Sequence, residues 1–323
     1  MNVIVVGKPR IDVTKFVKEF PKEGDNLIIN DREQITGGVS IYVACMLAKW
    51  GINVTYMGLV GGEEEGVKIK TFLEERHIES RFVEINYEVK TNKNYSILTD
   101  NGKRTNLIYD NQKYLTKYKL DFEPDYIIVD GSDFDGALAL VNNYPNAKVI
   151  FLANVFSKDY YNFSKKCSYV VTNEKFASAA TKLSINYHKE KTLVDLMQKL
   201  QDLENAKYIV NLRGNGTLYV KDRQVKFVSK VDSVLRDEYM MEAAFFGAFA
   251  FGIITNMDMD KIGKLCNMVY YKSGEKIGNI NNILDKDEMF KLCSINVKEE
   301  SAPSEETLTE QKTENVKEEA SSE

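Results

Sequence analysis

A rhythm narrows the fold of this 323-residue chain more than any other feature. Short, almost wholly apolar runs recur along it: NVIVVG (2–7), NVTYMGLVG (53–61), DYIIVDG (125–131), KVIFLA (148–153), SYVVTN (168–173) and KYIVNLRG (207–214). Helical stretches lie between most of them. GGVSIYVACMLAKWG (37–51) reads as a buried helix ended by a glycine, and EEEGVKIKTFLEERHI (63–78) as an amphipathic one. A strand that is apolar at nearly every position has no face for water, so these strands predict a parallel sheet covered by helices on both sides. Two segments break the rhythm: NLIINDREQIT (26–36) and EINYEVKTNKNYSILTDNGKRTNLIYD (84–110), the second with a hairpin turn at DNGK. They are expected in a small separate sheet standing off the main body.

Composition excludes several classes. Hydrophobic content of 43% and charge of 28% describe a globular chain. Nowhere do about 18 apolar residues run together, so no transmembrane helix is expected. The first residues enter a strand-like run without the basic region of a signal peptide, and a cytoplasmic location is expected. Cys45, Cys167, Cys266 and Cys293 are far apart and read as reduced thiols, mostly buried. His77 and His188 are isolated beside charged residues, which favours the surface and leaves no histidine-based metal site. Residues 298–323 hold nine Glu and three Lys and carry −6; the chain carries −5, so residues 1–297 carry about +1. A nearly neutral body gives no electrostatic case for nucleic acid.

Several motifs occur in a telling order: GKPRIDV (7–13), FPKEGDN (20–26), the Gly37–Gly38 pair opening a helix, GLVGGEEEG (58–66), VVTNEKF (170–176), VNLRGNGTLYV (210–220) and FFGAFAFG (245–252). This ordered set resembles the PfkB/ribokinase family of carbohydrate and nucleoside kinases, over roughly residues 1–284. The resemblance implies an α/β fold: a Rossmann-like three-layer α/β/α body at 1–297, with a small β-sheet lid from about 10–36 and 84–110. It implies that Asp12 would hydrogen-bond sugar hydroxyls, that Gly37 and Gly38 would form the turn beneath the substrate, and that Tyr42 replaces a sugar-contacting Asn. Asp12 read alone is equally an ordinary turn residue, and the glycines a tight helix start.

The departures fall where the chemistry would be. In the family, the stretch matching Asp237–Phe245 reads D-T-x-G-A-G-D-x-F. Here Met240, Met241 and Glu242 stand on Gly-Ala-Gly, and Ala243 on the second Asp. Glycines at that helix start would expose N–H groups to a transferring phosphoryl group, and the Asp would take the proton from the attacking hydroxyl. Ala243 cannot accept a proton, two methionines are expected to crowd the phosphate, and Glu242 would repel it. Adjacent helical residues point about 100° apart, so Glu242 does not simply replace the base. The family's magnesium-linked Asn-x-x-Glu becomes Asn173 with Phe176 in the Glu position, and T-x-G becomes Asn211-Leu212-Arg213 before Gly216.

Three readings follow. The first is a catalytically inactive pseudokinase with a binding, regulatory or structural role, self-associating through the lid. The second is an active sugar or nucleoside kinase using Mg-ATP through Asn173, Arg213 and Gly216. The third is a sensor of a sugar-like small molecule. The first expects no cofactor and no metal. The tail lacks the apolar residues that offset ordering entropy and is expected to be disordered. Truncation before Lys298 should leave the melting temperature nearly unchanged in a thermal melt; a drop of many degrees would show that the tail packs on the body.

Overall fold

The computed structural model describes residues 1–29, 31–187, 189–202, 206–278 and 280–295. The expectations for His188 and for the tail at 298–323 lie outside these residues. In chain order the elements begin with β1 (Val3–Val6), β2 (Arg10–Val17), β3 (Asp31–Gly37), α1 (Val39–Lys49), β4 (Val54–Gly61), α2 (Glu64–Glu74) and β5 (Glu79–Asn86). Then come β6 (Asn92–Thr99), β7 (Arg104–Tyr109), β8 (Tyr126–Val129), α3 (Phe134–Asn143), β9 (Lys148–Ala153), α4 (Lys158–Ser164), β10 (Tyr169–Asn173) and α5 (Glu174–Thr181). The chain continues through α6 (Glu190–Asp202), β11 (Lys207–Asn211), β12 (Thr217–Lys221), β13 (Gln224–Val228), α7 (Met241–Ile254), α8 (Met259–Gly274) and α9 (Lys286–Leu292).

The main sheet runs β13-β12-β11-β10-β9-β8-β1-β4-β5. From β11 to β5 every neighbouring pair is parallel, and β12–β13 is an antiparallel hairpin on the edge. Strand alternation divides the core in two. Val3 and Val5 join one apolar cluster with α1, α7 and α8, while Ile4 and Val6 join another with α3, α5 and α6. Both faces of the sheet are therefore covered, as the unbroken apolar runs require.

The off-rhythm segments build a second sheet, β3-β2-β6-β7, in which β2 and β6 are parallel and the outer pairs antiparallel. Two boundaries differ from the sequence expectation. Residues 26–29 are not strand, and Glu84–Asn86 belong to β5 on the main sheet, paired with β4. Among the described residues, no helix is long and apolar enough to cross a membrane. Cys45, Cys167 and Cys266 are buried free thiols, Cys293 is half-buried, and His77 is exposed.

Helix α7 packs through its glycines. A Cβ at Gly247 would meet Met46 Sδ of α1 at 2.7 Å, and one at Gly252 would meet Ile262 Cγ1 of α8 at 2.6 Å. Trp50 closes the far end, its indole N–H donating to the Leu284 carbonyl at 3.0 Å and its ring edge-on to Phe251. In an exposed helix, Gly→Ala would stabilise by about 1 kcal/mol. At Gly252 the fully buried, β-branched Ile262 cannot yield easily, and overpacking costs about 1–3 kcal/mol. Gly252→Ala should therefore lower stability in urea denaturation; an increase would show that the α7–α8 contact is loose.

Candidate functional site

The parallel strands β8 to β11 and β1 deliver their C-terminal ends to one rim, where open α/β sheets bind ligands. At that rim, Asn154, Thr172, Asn173, Asn211, Glu242 and Phe245 surround a void of about 10 Å³, no larger than a single water needs. Asn173 is spent on structure. Its Oδ1 accepts from the Lys175 and Phe176 amides as the N-cap of α5, and its Nδ2 donates to the Asn154 carbonyl at 2.8 Å. Phe176, expected from the sequence in the place of the family's Glu, is fully buried in the second apolar cluster. Asn211 Oδ1 accepts from the Arg213 amide at 2.8 Å, while its Nδ2 is buried without a partner beside the void.

The turn after β11 carries Arg213 at φ 52°, followed by Gly216 at φ 112°. A Cβ on Gly216 would lie 2.2 Å from the Val228 carbonyl oxygen, so only glycine fits against the β13 backbone. Arg213 Nη2 reaches Glu242 Oε1 at 3.0 Å. The pair is partly exposed, at 37% and 29%, so it contributes at most about 1 kcal/mol to stability. Its importance is positional: it joins the turn after β11 to the first turn of α7. On the same side, the Tyr187 hydroxyl donates to Glu174 Oε2. Burial first, then this carboxylate, raise the Tyr187 pKa and keep the hydroxyl protonated.

At the start of α7 the methionines behave differently from the crowding expected of them. Met240 and Met241 are buried in the main cluster, and Met241 Sδ lies 2.7 Å from where a Cβ on Gly274 would stand. The helix phase is set by its apolar residues, and it turns both side chains into the core. Ala243 is likewise 2% exposed. Glu242, not the methionines, is the α7 side chain that faces the rim.

Asp237, the matched first Asp, is bound from both sides. Arg104 Nη2 lies 2.5 Å from its Oδ2, Gly278 N donates to the same oxygen at 2.9 Å, and Tyr239 N donates to Oδ1 at 3.1 Å. The pair, 7% and 1% exposed, ties β7 of the small sheet to the body.

On the small sheet, Asp12 Oδ1 accepts from Arg10 Nε at 2.8 Å, and its Oδ2 is buried without a partner against Gly37. Gly38, at φ 111°, starts α1, and a Cβ there would lie 3.1 Å from the Lys8 carbonyl oxygen. Tyr42 lies on α1 inside the main cluster, 2% exposed, and burial raises its pKa. The structure therefore brings Asp12 and Gly37 together and places Tyr42 in the core.

Sequence reasoning missed Arg10, Asn94, Arg104 and Tyr239. The Tyr239 hydroxyl accepts from Arg10 Nη2 at 2.6 Å and Asn94 Nδ2 at 2.7 Å. Burial, chiefly, raises the Tyr239 pKa, so the phenol stays neutral. Burial opposes the Arg10 charge, but Asp12 and Tyr239 outweigh it and the pKa is raised. A polar signal was present at alternate positions in TNKNYS, where Asn92, Asn94 and Ser96 share one strand face.

Removing one partner of a buried ion pair leaves the other charge uncompensated, at about 3–5 kcal/mol. Arg104→Leu should therefore destabilise by about this much in chemical denaturation, and adding Asp237→Leu should recover a large part. A loss below about 1 kcal/mol would place the pair in the weak class of exposed bridges.

The model of the pfkB family carbohydrate kinases matches residues 1–236. No curated protein sequence matches the chain significantly. Among solved structures, a protein of Agrobacterium tumefaciens assigned as a ribokinase superposes with a TM-score of 0.80 at 17% identity, covering 91% of this chain and 97% of its own. The Arabidopsis thaliana ribokinase complexed with ribose and ATP gives 0.76 at 15% identity, covering 91% and 99%. The Methanocaldococcus jannaschii nucleoside kinase gives 0.75 at 15%, covering 91% and 98%. At these identities the structures establish the ribokinase-type fold, and the sequence match over most of the chain establishes the family: the chain belongs to the pfkB family of carbohydrate kinases.

Proposed function

We propose that this pfkB-family chain does not transfer a phosphoryl group and acts instead as a binding or regulatory protein. One observation carries the reading. Ala243 stands at the base position with only a methyl group, and beside it Glu242 reaches across to Arg213 at 3.0 Å, the two placing a carboxylate and its counter-ion at the helix start. The family's chemistry needs a proton acceptor and uncovered N–H donors there. Mg-ATP does not fit these residues in the family's manner: Asn173 is spent as a helix cap, Phe176 is apolar and buried, and the void beside Glu242 is water-sized. Two features support a ligand on the small-sheet side. The buried Asp12 Oδ2 and Asn94 Oδ1 are both acceptors without partners, and together they suit a polyhydroxylated molecule. Leu107, Ile108 and Tyr109 of the edge strand β7 are 62%, 65% and 45% exposed, which supports self-association along that edge.

The opposing reading, an active sugar or nucleoside kinase with a rebuilt site, draws on the relatives: one solved structure holds ribose and ATP. ATP consumption over a panel of sugars and nucleosides separates the two. Wild type and Ala243→Asp are expected to show no substrate-dependent turnover. A general base alone contributes about 10²–10⁴-fold, but a missing oxyanion donor by itself costs about 10²–10³-fold, and the new carboxylate would enter an apolar environment beside Glu242. The smallest replacement with the required groups combines Met240→Gly, Met241→Ala, Glu242→Gly and Ala243→Asp. Substrate-dependent turnover by wild type or by Ala243→Asp alone would overturn the reading.

A further inference from the structure

The face of the small sheet that looks toward the body is polar at alternating positions. Asp12 and Thr14 of β2 register with Asn94 and Ser96 of β6, and Ser96 registers with Asn106 of β7. Asp12, Thr14, Asn94 and Ser96 are each no more than 5% exposed. A buried polar surface of this kind must be given hydrogen-bond partners. The chain gives it one of its own side chains. Tyr239 crosses from the segment before α7, and its hydroxyl accepts from Arg10 and Asn94. The Arg104 guanidinium stacks on its ring, 4.4 Å from the centroid.

The match is incomplete. At hydrogen-bond distance Asp12 Oδ2 and Asn94 Oδ1 keep no partner, the Asp12 carboxylate lying only near enough to the phenol to help raise its pKa. On the other side of Tyr239 and Arg104 lies an open cavity of about 700 Å³, also lined by Asn101, Lys103, Asn106 and Glu238. The Tyr239 side chain thus stands between this cavity and two unpaired buried acceptors.

We propose that Tyr239 is an internal plug: its phenol occupies the place of a ligand hydroxyl beneath the small sheet, and its displacement joins the outer cavity to Asp12 and Asn94. A phenol brings one hydroxyl to a surface that could use several. A compact polyol would return the bonds of Arg10 and Asn94 and would also donate to Asp12 Oδ2 and Asn94 Oδ1. Exchange of the plug for such a ligand is therefore balanced, as a ligand-operated latch requires. The choice of a polyol rests on the small-sheet ligand reading given above; the plug itself rests on the Tyr239 contacts and is independent of turnover.

The test uses the full chain with Tyr239→Gly and Tyr239→Phe, read by thermal melting with 4-methylphenol (the deleted side chain as a free molecule) and, separately, ribitol. Tyr239→Gly should melt below wild type, and millimolar 4-methylphenol should raise it by about 2 °C while leaving wild type and Tyr239→Phe unmoved. Ribitol should raise Tyr239→Gly and, less strongly, wild type, in which it must first displace the phenol. A rise with 4-methylphenol but none with ribitol keeps the plug and removes the polyol reading. Equal effects of 4-methylphenol on all three proteins, or none on a folded Tyr239→Gly, overturn the plug. Should Tyr239→Gly fail to fold, Tyr239→Phe decides: it keeps the ring, loses the hydroxyl bonds and should melt lower, and a melt equal to wild type overturns the proposal.

Discussion

Helix α7 has almost no face for water. Thirteen of its fourteen residues are buried, and Glu242 alone is not. Small residues allow this: Gly247 admits Met46 of α1 and Gly252 admits Ile262 of α8, so three helices close against one face of the main sheet. Burial on every side fixes the helix in both height and rotation. Its first turn is therefore held at the strand ends, with Ala243 inward and Glu242 toward the rim, whatever chemistry that turn performs. The same packing would hold a catalytic turn equally well, so the fold is indifferent to what that turn does.

With the helix fixed, the rim is filled by the chain's own groups. Glu242 meets Arg213, Asp237 meets Arg104, and Tyr239 meets Arg10 and Asn94. These contacts differ in weight. The Arg213–Glu242 pair is partly hydrated and weak, and its partners can separate at little cost. The Arg104–Asp237 pair is dry, with further donors from Gly278 and Tyr239, so breaking it exposes an uncompensated charge. The small sheet is thus tied to the body by several contacts, of which the Arg104–Asp237 pair is the driest, while the turn after β11 meets the start of α7 through a weak one.

Much of the main sheet was legible because strands buried on both faces leave unbroken apolar runs. The β12–β13 hairpin was not. Its strands are short, β13 is half exposed, and its turn uses Asp222 and Arg223 at φ 49° and 62° with no glycine to announce it. At the site, the roles proposed for Ala243, Glu242 and Phe176 rest on their positions in an ordered motif. Arg10 and Tyr239 meet across 229 positions, and Arg104 and Asp237 across 133, so only the folded chain shows those pairings. The methionines and Tyr42 show a different limit. Their places in the motifs set them toward a ligand, but the rotation of α7 and α1 against the core carries their side chains inward.

On the proposed reading, Glu242 and Arg213 close the phosphate position at the start of α7, and Ala243 leaves it without a proton acceptor. Isothermal titration of Mg-ATP into the purified full-length chain tests it most directly. No saturable heat up to millimolar nucleotide is predicted; a clean isotherm with a micromolar Kd would contradict the account.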